Sequence, residues 1–322
     1  MPAPEVCVVG EINPDLILYG VPADLELEHE VLIEGFRLTL GSSSAIFAHN
    51  LAALGTSVGM TAKIGDDAFG KMTLGWLTGA GVDVSKVLTE ASTPTGITVL
   101  LANRRGRHIL TYPGSMFDLK YRDLDLDYVY SARHLHLSSF FLQKGLRPQV
   151  RDLFRNAKVK GLTTSLDTND DPSGEWREDV LEVLKFVDIF LPNENEAKKI
   201  TRTEDLNAAV QILCRAGKLV VVKRGPEGAN AYDGKREWHA PTLPIVARDA
   251  VGAGDSFDAG FVHRFLGGAS IEDSLEFANI AGAYSTTAEG GIEAFRNREK
   301  MKKFFSDHLK AKKPPADRSM TS

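Results

Sequence analysis

The chain has 322 residues, of which 43% are hydrophobic and 25% are charged, as in a globular protein with a sizeable core. A formal net charge of -5 at pH 7 argues against nucleic acids and membrane surfaces as partners, since both are bound through basic patches. Two cysteines are too few for a disulfide framework, and the sequence shows no signal peptide or membrane-spanning run, so we expect a cytoplasmic protein.

Short β-branched runs alternate with amphipathic stretches from the N-terminus onward. Buried strands are predicted at 6–10, 163–167, 187–191 and 219–223. Helices are predicted at 67–79, 145–157, 175–185, 204–215, 254–266, 271–288 and 297–308. This order predicts an α/β fold, a doubly wound and mainly parallel sheet flanked by helices, as one domain over residues 1–310. The tail 311–322 is charged and contains prolines, so we expect it to be disordered.

Two regions, about 14–40 and 95–112, interrupt this alternation with strands that have no helix between them. We expect them to form a small inserted β-lid over a binding site, whose free strand edges can pair two subunits in a homodimer. Arg104, Arg105 and Arg107 lie at the turn of the second region. They are interpreted either as a solvated hairpin tip or as contacts for an anionic substrate.

The stretch 249–260, DAVGAGDSFDAG, joins a glycine turn to a carboxylate at the start of a predicted helix. The N–H groups of Gly252, Ala253 and Gly254 suit an anion, and Asp255 falls in the first helical turn. One interpretation is a helix-capping aspartate after a simple turn. The other is phosphoryl transfer, in which the amides stabilise the transferred group and the carboxylate accepts the proton of the attacking hydroxyl.

The acceptor side of such a reaction is predicted after the first strand, in the stretch 10–16, GEINPDL. Asn13 and Asp15 can hydrogen-bond the hydroxyls of a sugar, because a carboxylate accepts well from paired hydroxyl groups. The alternative is an Asn-Pro-Asp turn that binds no ligand.

The nucleotide side is predicted after two later strands. Asn193 and Glu196 supply an amide and a carboxylate that suit Mg²⁺, unless they only begin a surface helix. Lys223 ends an apolar strand, where its ammonium can pair with phosphates or lie exposed. Gly225 and Gly228 follow it and allow the backbone to approach a ligand closely.

Five motifs in order resemble those of the ribokinase-like, or PfkB, carbohydrate kinases, over about residues 5–295. They lie at 41–55, 191–197, 222–228, 249–261 and 278–291. The resemblance implies ATP and Mg²⁺ as cofactors and transfer of the ATP γ-phosphate to a hydroxyl of a sugar or related polyol. It implies Asp255 as the base and the amides of residues 252–254 as an anion hole.

The resemblance also implies the remaining site residues. Gly41 and Ser42 occupy the place of its sugar-binding glycine pair, beside Asn13 and Asp15. Asn279 would border adenine. The alternative is that its amide has a structural role and bonds to a neighbouring turn. The ATP site would comprise Asn193, Lys223, Gly225, Gly228 and Asn279, with Mg²⁺ held near Asn193 and Glu196 through phosphates and water.

Asp249 is implied as a ligand of a monovalent cation, K⁺, with carbonyls of the 286–290 loop, and a turn-forming aspartate is the alternative. Ser42 stands where the family usually has its second glycine, and Ile46 stands where it usually has an asparagine. Loss of a polar contact changes which acceptor fits, so these departures argue against ribose itself. The same chemistry on a nucleoside or a phosphosugar, and a non-catalytic sugar- or nucleotide-binding sensor, are the alternative functions.

Other motifs argue against competing functions. The sequence contains no Walker-type phosphate loop and no dinucleotide fingerprint after the first strand. His134 and His136 alternate as on one face of a strand, but no third metal ligand accompanies them. They are interpreted as packed histidines rather than as a metal pair.

Overall fold

The computed structural model describes residues 3–176 and 179–310, so the tail predicted at 311–322 lies outside the described residues. The strands are β1 (Val6–Val9), β2 (Pro14–Tyr19), β3 (Gly35–Leu40), β4 (Val58–Thr61), β5 (Lys63–Gly65), β6 (Leu88–Glu90), β7 (Thr95–Asn103), β8 (Gly106–Gly114), β9 (His134–Leu137), β10 (Thr163–Leu166), β11 (Ile189–Phe190), β12 (Leu219–Lys223), β13 (Ala229–Tyr232) and β14 (Glu237–Ala240). The α-helices are α1 (Ser43–Ala53), α2 (Ala68–Ala80), α3 (Leu126–Ser131), α4 (Arg147–Val159), α5 (Asp179–Leu184), α6 (Glu194–Thr201), α7 (Leu206–Ala216), α8 (Ala253–Leu266), α9 (Ile271–Ser285) and α10 (Arg298–Lys310).

The central sheet has eight strands in the order β14-β13-β12-β11-β10-β9-β1-β4. From β4 to β12 every pair is parallel, and the last two pairs are antiparallel. The predicted mainly parallel sheet is therefore confirmed. The carboxyl ends of its parallel strands share one edge, which is where ligands bind in folds of this kind.

Alternating side chains of the strands pack on helices at both faces of the sheet. In β1, Cys7 and Val9 join a core with α4 to α7, whereas Val6 and Val8 join a core with α1, α2 and α8. All four residues of β1 are buried, as expected for a strand covered on both sides. This burial explains why the predicted strands read as continuous apolar runs.

The lid is a second sheet of four strands in the order β3-β2-β7-β8. The pairs β2–β3 and β7–β8 are antiparallel, while β2–β7 is parallel. Residues 20–34, which the sequence placed within a strand region, form no helix or strand. Leu25 and Leu27 of this segment alternate with acidic residues as in a strand, but both leucines are exposed, so no buried apolar face stabilises a strand there.

Most element positions agree with the sequence predictions, and the differences lie at the ends. The strand predicted at 187–191 is reduced to β11, and the helix predicted at 271–288 ends with α9 at Ser285. Helix boundaries depend on capping geometry that periodicity does not encode. In the part of the chain that the structure describes, no helix is long and apolar enough to span a membrane.

Candidate active site

The glycine turn before α8 presents backbone N–H groups to the carboxyl edge of the sheet. Gly252 occupies the N-cap position with φ 71° and ψ 8°, and no side chain caps the helix. A methyl group on Gly252 would lie 2.6 Å from the Cα of Gly291, so the left-handed turn and the close contact both require glycine. Among the described residues no side chain caps this helix, and the Ala253 N–H donates to the Ala250 carbonyl at 3.3 Å, so the N–H groups of Gly252 and Gly254 are the ones left for an anion.

Asp255 lies in the first turn of α8 and is 8% exposed. Since Gly252 is the cap, the capping interpretation of Asp255 is wrong. Burial, and then the charge of Asp167, raise the pKa of Asp255 to about 6, while Lys223 and a hydrogen bond with the Ser43 side chain oppose the rise. A carboxyl group with a raised pKa is a stronger base than an ordinary aspartate and is still ionised at neutral pH.

Four residues predicted for the sugar converge between β1 and the start of α1. Ser42 donates a short hydrogen bond to Asn13 Oδ1, and Asn13 Nδ2 donates to Thr98 Oγ1 of the lid at 3.2 Å. The N–H of Gly41 donates to the carbonyl of Asn13 at 2.8 Å. A methyl group on Gly41 would lie 1.9 Å from Asp15 Oδ1, so only glycine leaves room for this carboxylate.

Asp15 is the unsatisfied member of this group. Its carboxylate is 6% exposed and makes no hydrogen bond or ion pair with any described residue. Burial, and then the charges of Asp255 and Asp249, raise its pKa to about 8, while Arg107 opposes the rise. The charge of Asp255 thus acts on the Asp15 carboxylate, as expected of two carboxylates at one crevice.

Lys223 is paired within the site rather than exposed at a strand end. Its Nζ lies 2.9 Å from Asp167 Oδ2 and 3.0 Å from Asp258 Oδ2, and its side chain is 13% exposed. Burial lowers the pKa of this ammonium, but the two carboxylates outweigh burial and raise it overall. A methyl group on Gly254 would lie 3.6 Å from Nζ, so the cation sits beneath the glycine turn. The binding of nucleotide phosphates by Lys223 stays a prediction.

Asn193 and Glu196 form a reciprocal cap at the start of α6. The Glu196 N–H donates to Asn193 Oδ1 at 2.9 Å, and the Asn193 N–H donates to Glu196 Oε2 at 2.8 Å. Glu196 is nonetheless 6% exposed, so this is a buried helix start rather than a surface one. Burial, and then the charge of Asp167, raise its pKa to about 7.

These residues fit a magnesium ion held mainly by phosphates and water. Asp167 and Glu196 place hard carboxylate oxygens near each other at the sheet edge, which suits Mg²⁺. Over residues 3–176 and 179–310 no group of three or more ligating side chains could hold a metal by itself. The protein would therefore supply few ligands and the nucleotide the rest.

The remaining residues predicted for ATP lie around the end of β12 and on α9. Gly225 and Gly228 flank a single helical turn after β12. Asn279 Nδ2 donates to the carbonyl oxygens of Ala240 at 2.7 Å and of Pro241 at 3.2 Å. This is the structural amide named as the alternative, and a contact of Asn279 with adenine stays a prediction.

Asp249 acts in this structure as a turn anchor. Its Oδ1 accepts the Val251 N–H at 2.9 Å, and its Oδ2 accepts the Gly290 N–H and the Tyr19 hydroxyl, both at 3.0 Å. Three protein donors thus occupy the carboxylate that was predicted to bind K⁺. The donor set fits the turn-forming alternative better than a cation site.

Ile46 packs beneath the glycine turn and does not line an open pocket. Ile46 is 3% exposed. A methyl group added to Gly252 would lie 3.2 Å from the Ile46 side chain, and one added to Gly291 would lie 2.5 Å from it. The apolar residue at this position therefore supports the anion turn. Its effect on the acceptor is indirect, unlike the direct contact expected from the sequence.

The sequence analysis did not identify four buried polar residues near the crevice. Asp167 ends a predicted strand at the ligand edge, and Asp258 follows Asp255 by one helical turn, so both positions carried a usable signal. Glu11 accepts from Ser44 Oγ at 2.8 Å and from Gln143 Nε2 in a shorter contact. Gln143 Oε1 is buried without a partner among the described residues, and no local pattern indicated it.

The chain is similar to known proteins over nearly its whole length. The family model described as pfkB family carbohydrate kinase matches residues 3–298. An ATP-dependent ribose-1-phosphate kinase of Halopiger xanaduensis is 29% identical over 292 residues, 90% of this chain and 94% of the relative. A 2-dehydro-3-deoxygluconokinase of Bacillus subtilis is 28% identical over 294 residues, 86% of this chain and 89% of the relative.

Solved structures show the same fold. Arabidopsis thaliana ribokinase, complexed with ribose and ATP, superposes with a TM-score of 0.81 at 26% identity, covering 94% of this chain and 99% of that one. A putative ribokinase II of E. coli, in complex with ATP and Mg²⁺, superposes with a TM-score of 0.83 at 22% identity, covering 96% and 100%. The chain therefore belongs to the PfkB family of carbohydrate kinases.

Proposed function

We propose that the chain transfers the γ-phosphate of ATP to a hydroxyl group of a sugar or related polyol. The observation that carries this proposal is the pair Asp15 and Asp255. Both carboxylates are buried at one crevice, and their only side-chain hydrogen bond to a described residue is that of Asp255 with Ser43. Buried carboxylates without donors are costly, so the crevice suits a ligand that brings hydroxyl groups.

In the reaction, Asp15 and Asn13 orient the acceptor so that one hydroxyl faces Asp255. Asp255 takes the proton of that hydroxyl as its oxygen bonds to the γ-phosphorus and the bond to the ADP oxygen breaks. The amides of residues 252–254 point at the transferred group and stabilise its charge. Mg²⁺, when bound with ATP near Asn193 and Glu196, supplies neutralisation of phosphate charge. Closure of the lid excludes water and so limits ATP hydrolysis.

Lys223 keeps the crevice from becoming too acidic for a polyphosphate. Its ammonium offsets Asp167 and Asp258 directly beneath the turn that receives the anion. The binding of the nucleotide by Gly225, Gly228 and Asn279 belongs to the proposal on the strength of the family resemblance. No contact with a ligand is needed to explain the hydrogen bonds of Asn279.

A requirement for K⁺ is proposed on the resemblance alone. The hydrogen bonds at Asp249 oppose it, because they satisfy both carboxylate oxygens without an ion. Turnover measured with K⁺, Na⁺ or a bulky organic cation at equal ionic strength decides the matter. Equal rates in all three would remove the cation from the mechanism.

A homodimer through the lid is proposed from the exposed edge of its sheet. The edge strand β8 carries Ile109, Leu110 and Tyr112 at 58%, 55% and 53% exposure. Exposed apolar edge strands invite pairing with another copy. Light scattering after size exclusion would show a dimer, and Leu110→Lys would then return the monomer.

The test of the function is ADP release with Mg-ATP across pentoses, hexoses, sugar acids, nucleosides and phosphosugars. Asp255→Asn is measured beside the wild type, and Asp66→Asn, at a surface ion pair with 57% exposure, is the matched control. We expect turnover on one acceptor class that Asp255→Asn lowers by about 100-fold or more and Asp66→Asn leaves unchanged. Binding of ATP or a sugar without any acceptor-dependent ADP release would instead support the non-catalytic sensor.

A further inference from the structure

A large cavity lies between the outer end of the lid and the segment before the glycine turn. Its volume is about 840 Å³. Its charged lining consists of Arg104, Arg105, Arg107, Arg248, Glu34 and Asp249. Four cations against two carboxylates make a basic cavity in a chain whose formal net charge is -5.

The four arginines of this cavity have no carboxylate partner among the described residues. All four are exposed, and none forms a salt bridge with a residue in the described ranges. Asp249, by contrast, is engaged by three protein donors. Most surface arginines of this chain that are not at the cavity have a carboxylate nearby, as in the pairs Arg236–Asp233 and Arg133–Glu5. Unpaired guanidinium groups around a concave surface are suited to bind phosphate or carboxylate groups.

Strand register places Arg107 on the lid face that carries Asp15. Asp15 is opposite Thr98 on β7, and Thr98 is opposite Thr111 on β8. Arg107 is four residues from Thr111 on β8, and side chains two and four apart share a face. The offset along the strand is about 13 Å at ~3.3 Å per residue, and the long arginine side chain spans part of it. Arg107 is also the cation whose charge opposes the raised pKa of Asp15.

We infer that the acceptor is a sugar bearing an anionic group, phosphate or carboxylate, which Arg107 and the neighbouring arginines bind while Asp15 binds hydroxyls. This inference rests on the proposed function and names its substrate class. One end of the acceptor lies at Asp255, where the hydroxyl reacts, and the anionic end extends along the lid toward the cavity. The solvated hairpin tip considered from the sequence would instead leave the arginines without a ligand.

The cavity is assigned to the acceptor rather than to the nucleotide because of the elements that line it. The elements predicted for ATP are the turn after β12 and helix α9, and Gly228 packs there against Ala240 and Pro241. The cavity is lined instead by Tyr19 at the end of β2, by residues 20–23, by the β7–β8 turn and by residues 248–250. It thus adjoins the lid strands that carry Asp15 and none of the elements predicted for ATP.

The experiment compares matched acceptors by ADP release, using ribose with ribose 1-phosphate and ribose 5-phosphate, and glucose with gluconate and glucose 6-phosphate. The phosphate and carboxylate arms distinguish the two anionic groups. Arg107→Gln removes the charge, Arg107→Lys retains it, and Arg122→Gln is the control at a guanidinium that is 78% exposed and outside the cavity.

We expect at least one anionic acceptor to exceed its neutral parent by about 100-fold in kcat/KM. Arg107→Gln should lower kcat/KM for that acceptor by about 10- to 100-fold more than for the neutral parent, chiefly through KM, with the KM for ATP unchanged. Arg107→Lys should recover part of the loss, and Arg122→Gln should have no effect.

Three results would overturn the inference while leaving the kinase intact. They are a neutral acceptor that matches or exceeds its anionic forms, an equal loss on both with Arg107→Gln, or a raised KM for ATP in that variant. If no acceptor of any charge is turned over, the proposed function itself fails and this inference falls with it. An unchanged urea midpoint of Arg107→Gln shows that the variant is folded.

Discussion

The Nζ of Lys223 lies 2.9 Å from Oδ2 of Asp167 at the carboxyl edge of the sheet, where the Asp167 side chain is buried and that of Lys223 is 13% exposed. A second carboxylate, Asp258, contacts the same ammonium at 3.0 Å, and its other oxygen has no hydrogen-bond partner among the described residues. One cation therefore holds two carboxylates together directly below the turn proposed to bind phosphate. Removal of the cation would leave two buried charges without compensation.

Lys223→Met should lower the free energy of unfolding by about 3–5 kcal/mol, because it breaks a buried ion pair from one side. Burial already raises the pKa of Asp258, and loss of the ammonium raises it further. An acid whose folded pKa is raised loses stability as pH rises, so the deficit should be larger at pH 8 than at pH 5. Urea denaturation at the two pH values measures it.

The matched control is Lys302→Met, at an exposed pair three residues from Glu299 on α10. Pairs of this kind contribute about 0.3–0.5 kcal/mol, so its unfolding should change little and without pH dependence. Equal losses in the two lysine variants would show that Lys223 contributes no more than a surface charge.

The pH dependence of turnover should report Asp255. Its pKa is raised to about 6 by burial and Asp167, and the base must be ionised to accept the proton. We therefore expect kcat/KM to rise with pH through an inflection near 6, separate from any further change near 8, where Asp15 titrates. In Asp255→Asn the residual rate should lose this limb. An inflection near 4 in the wild type would indicate a solvated carboxylate and contradict the buried site.

The repeating features of the fold could be predicted from sequence, and the lone polar contacts could not. The continuous apolar runs of β1 and β12 predict strands covered on both faces, because a parallel sheet demands them. The turn at Gly252 and the acid at Asp255 could be located because the two features are adjacent in the chain. Their roles required the family resemblance, since a capping aspartate would give the same letters.

Contacts between distant segments could not be predicted from the sequence. Lys223 was interpreted as a phosphate ligand or an exposed strand end, and its partners come from β10 and α8, which are far away in the chain. Ile46 was expected to contact the acceptor. Its side chain instead packs against Gly252 and Gly291, because α1 lies behind the glycine turn. Such outcomes depend on tertiary packing, which a local pattern does not specify.

Asp15→Asn should separate stability from function. The folded pKa of Asp15 is raised to about 8, so its carboxylate destabilises the fold increasingly as pH rises from its unfolded value toward 8. The amide has nearly the same shape and no charge, so we expect a gain of roughly 1–3 kcal/mol at pH 8 that shrinks toward pH 5. The variant should raise the KM for the acceptor and leave the KM for ATP unchanged. A less stable variant at pH 8 would contradict the unpartnered carboxylate.

Two buried histidines share one hydroxyl group. Ser165 Oγ lies 2.7 Å from His134 Nε2 and 2.7 Å from His136 Nδ1, and His136 Nε2 lies 2.7 Å from Ser138 Oγ at the site edge. Burial lowers the pKa of both imidazoles, that of His134 to about 3, so both are neutral and each ring needs one donor and one acceptor partner. The packed histidines predicted from the sequence are confirmed as a hydrogen-bonded chain.

Ser165→Ala should therefore cost about 2–4 kcal/mol of unfolding free energy, because it leaves two buried ring nitrogens without a partner. Ser92→Ala, at an exposed hydroxyl that bonds Glu90, is the control and should cost less than about 0.5 kcal/mol. Histidines with depressed folded pKa values lose stability as pH falls below the unfolded value near 6.5, so wild type and variant should both weaken toward pH 5. Denaturant titrations at pH 7.5 and pH 5 test both statements, and a Ser165→Ala loss no larger than that of the control would mean that the shared hydroxyl does not hold the two rings.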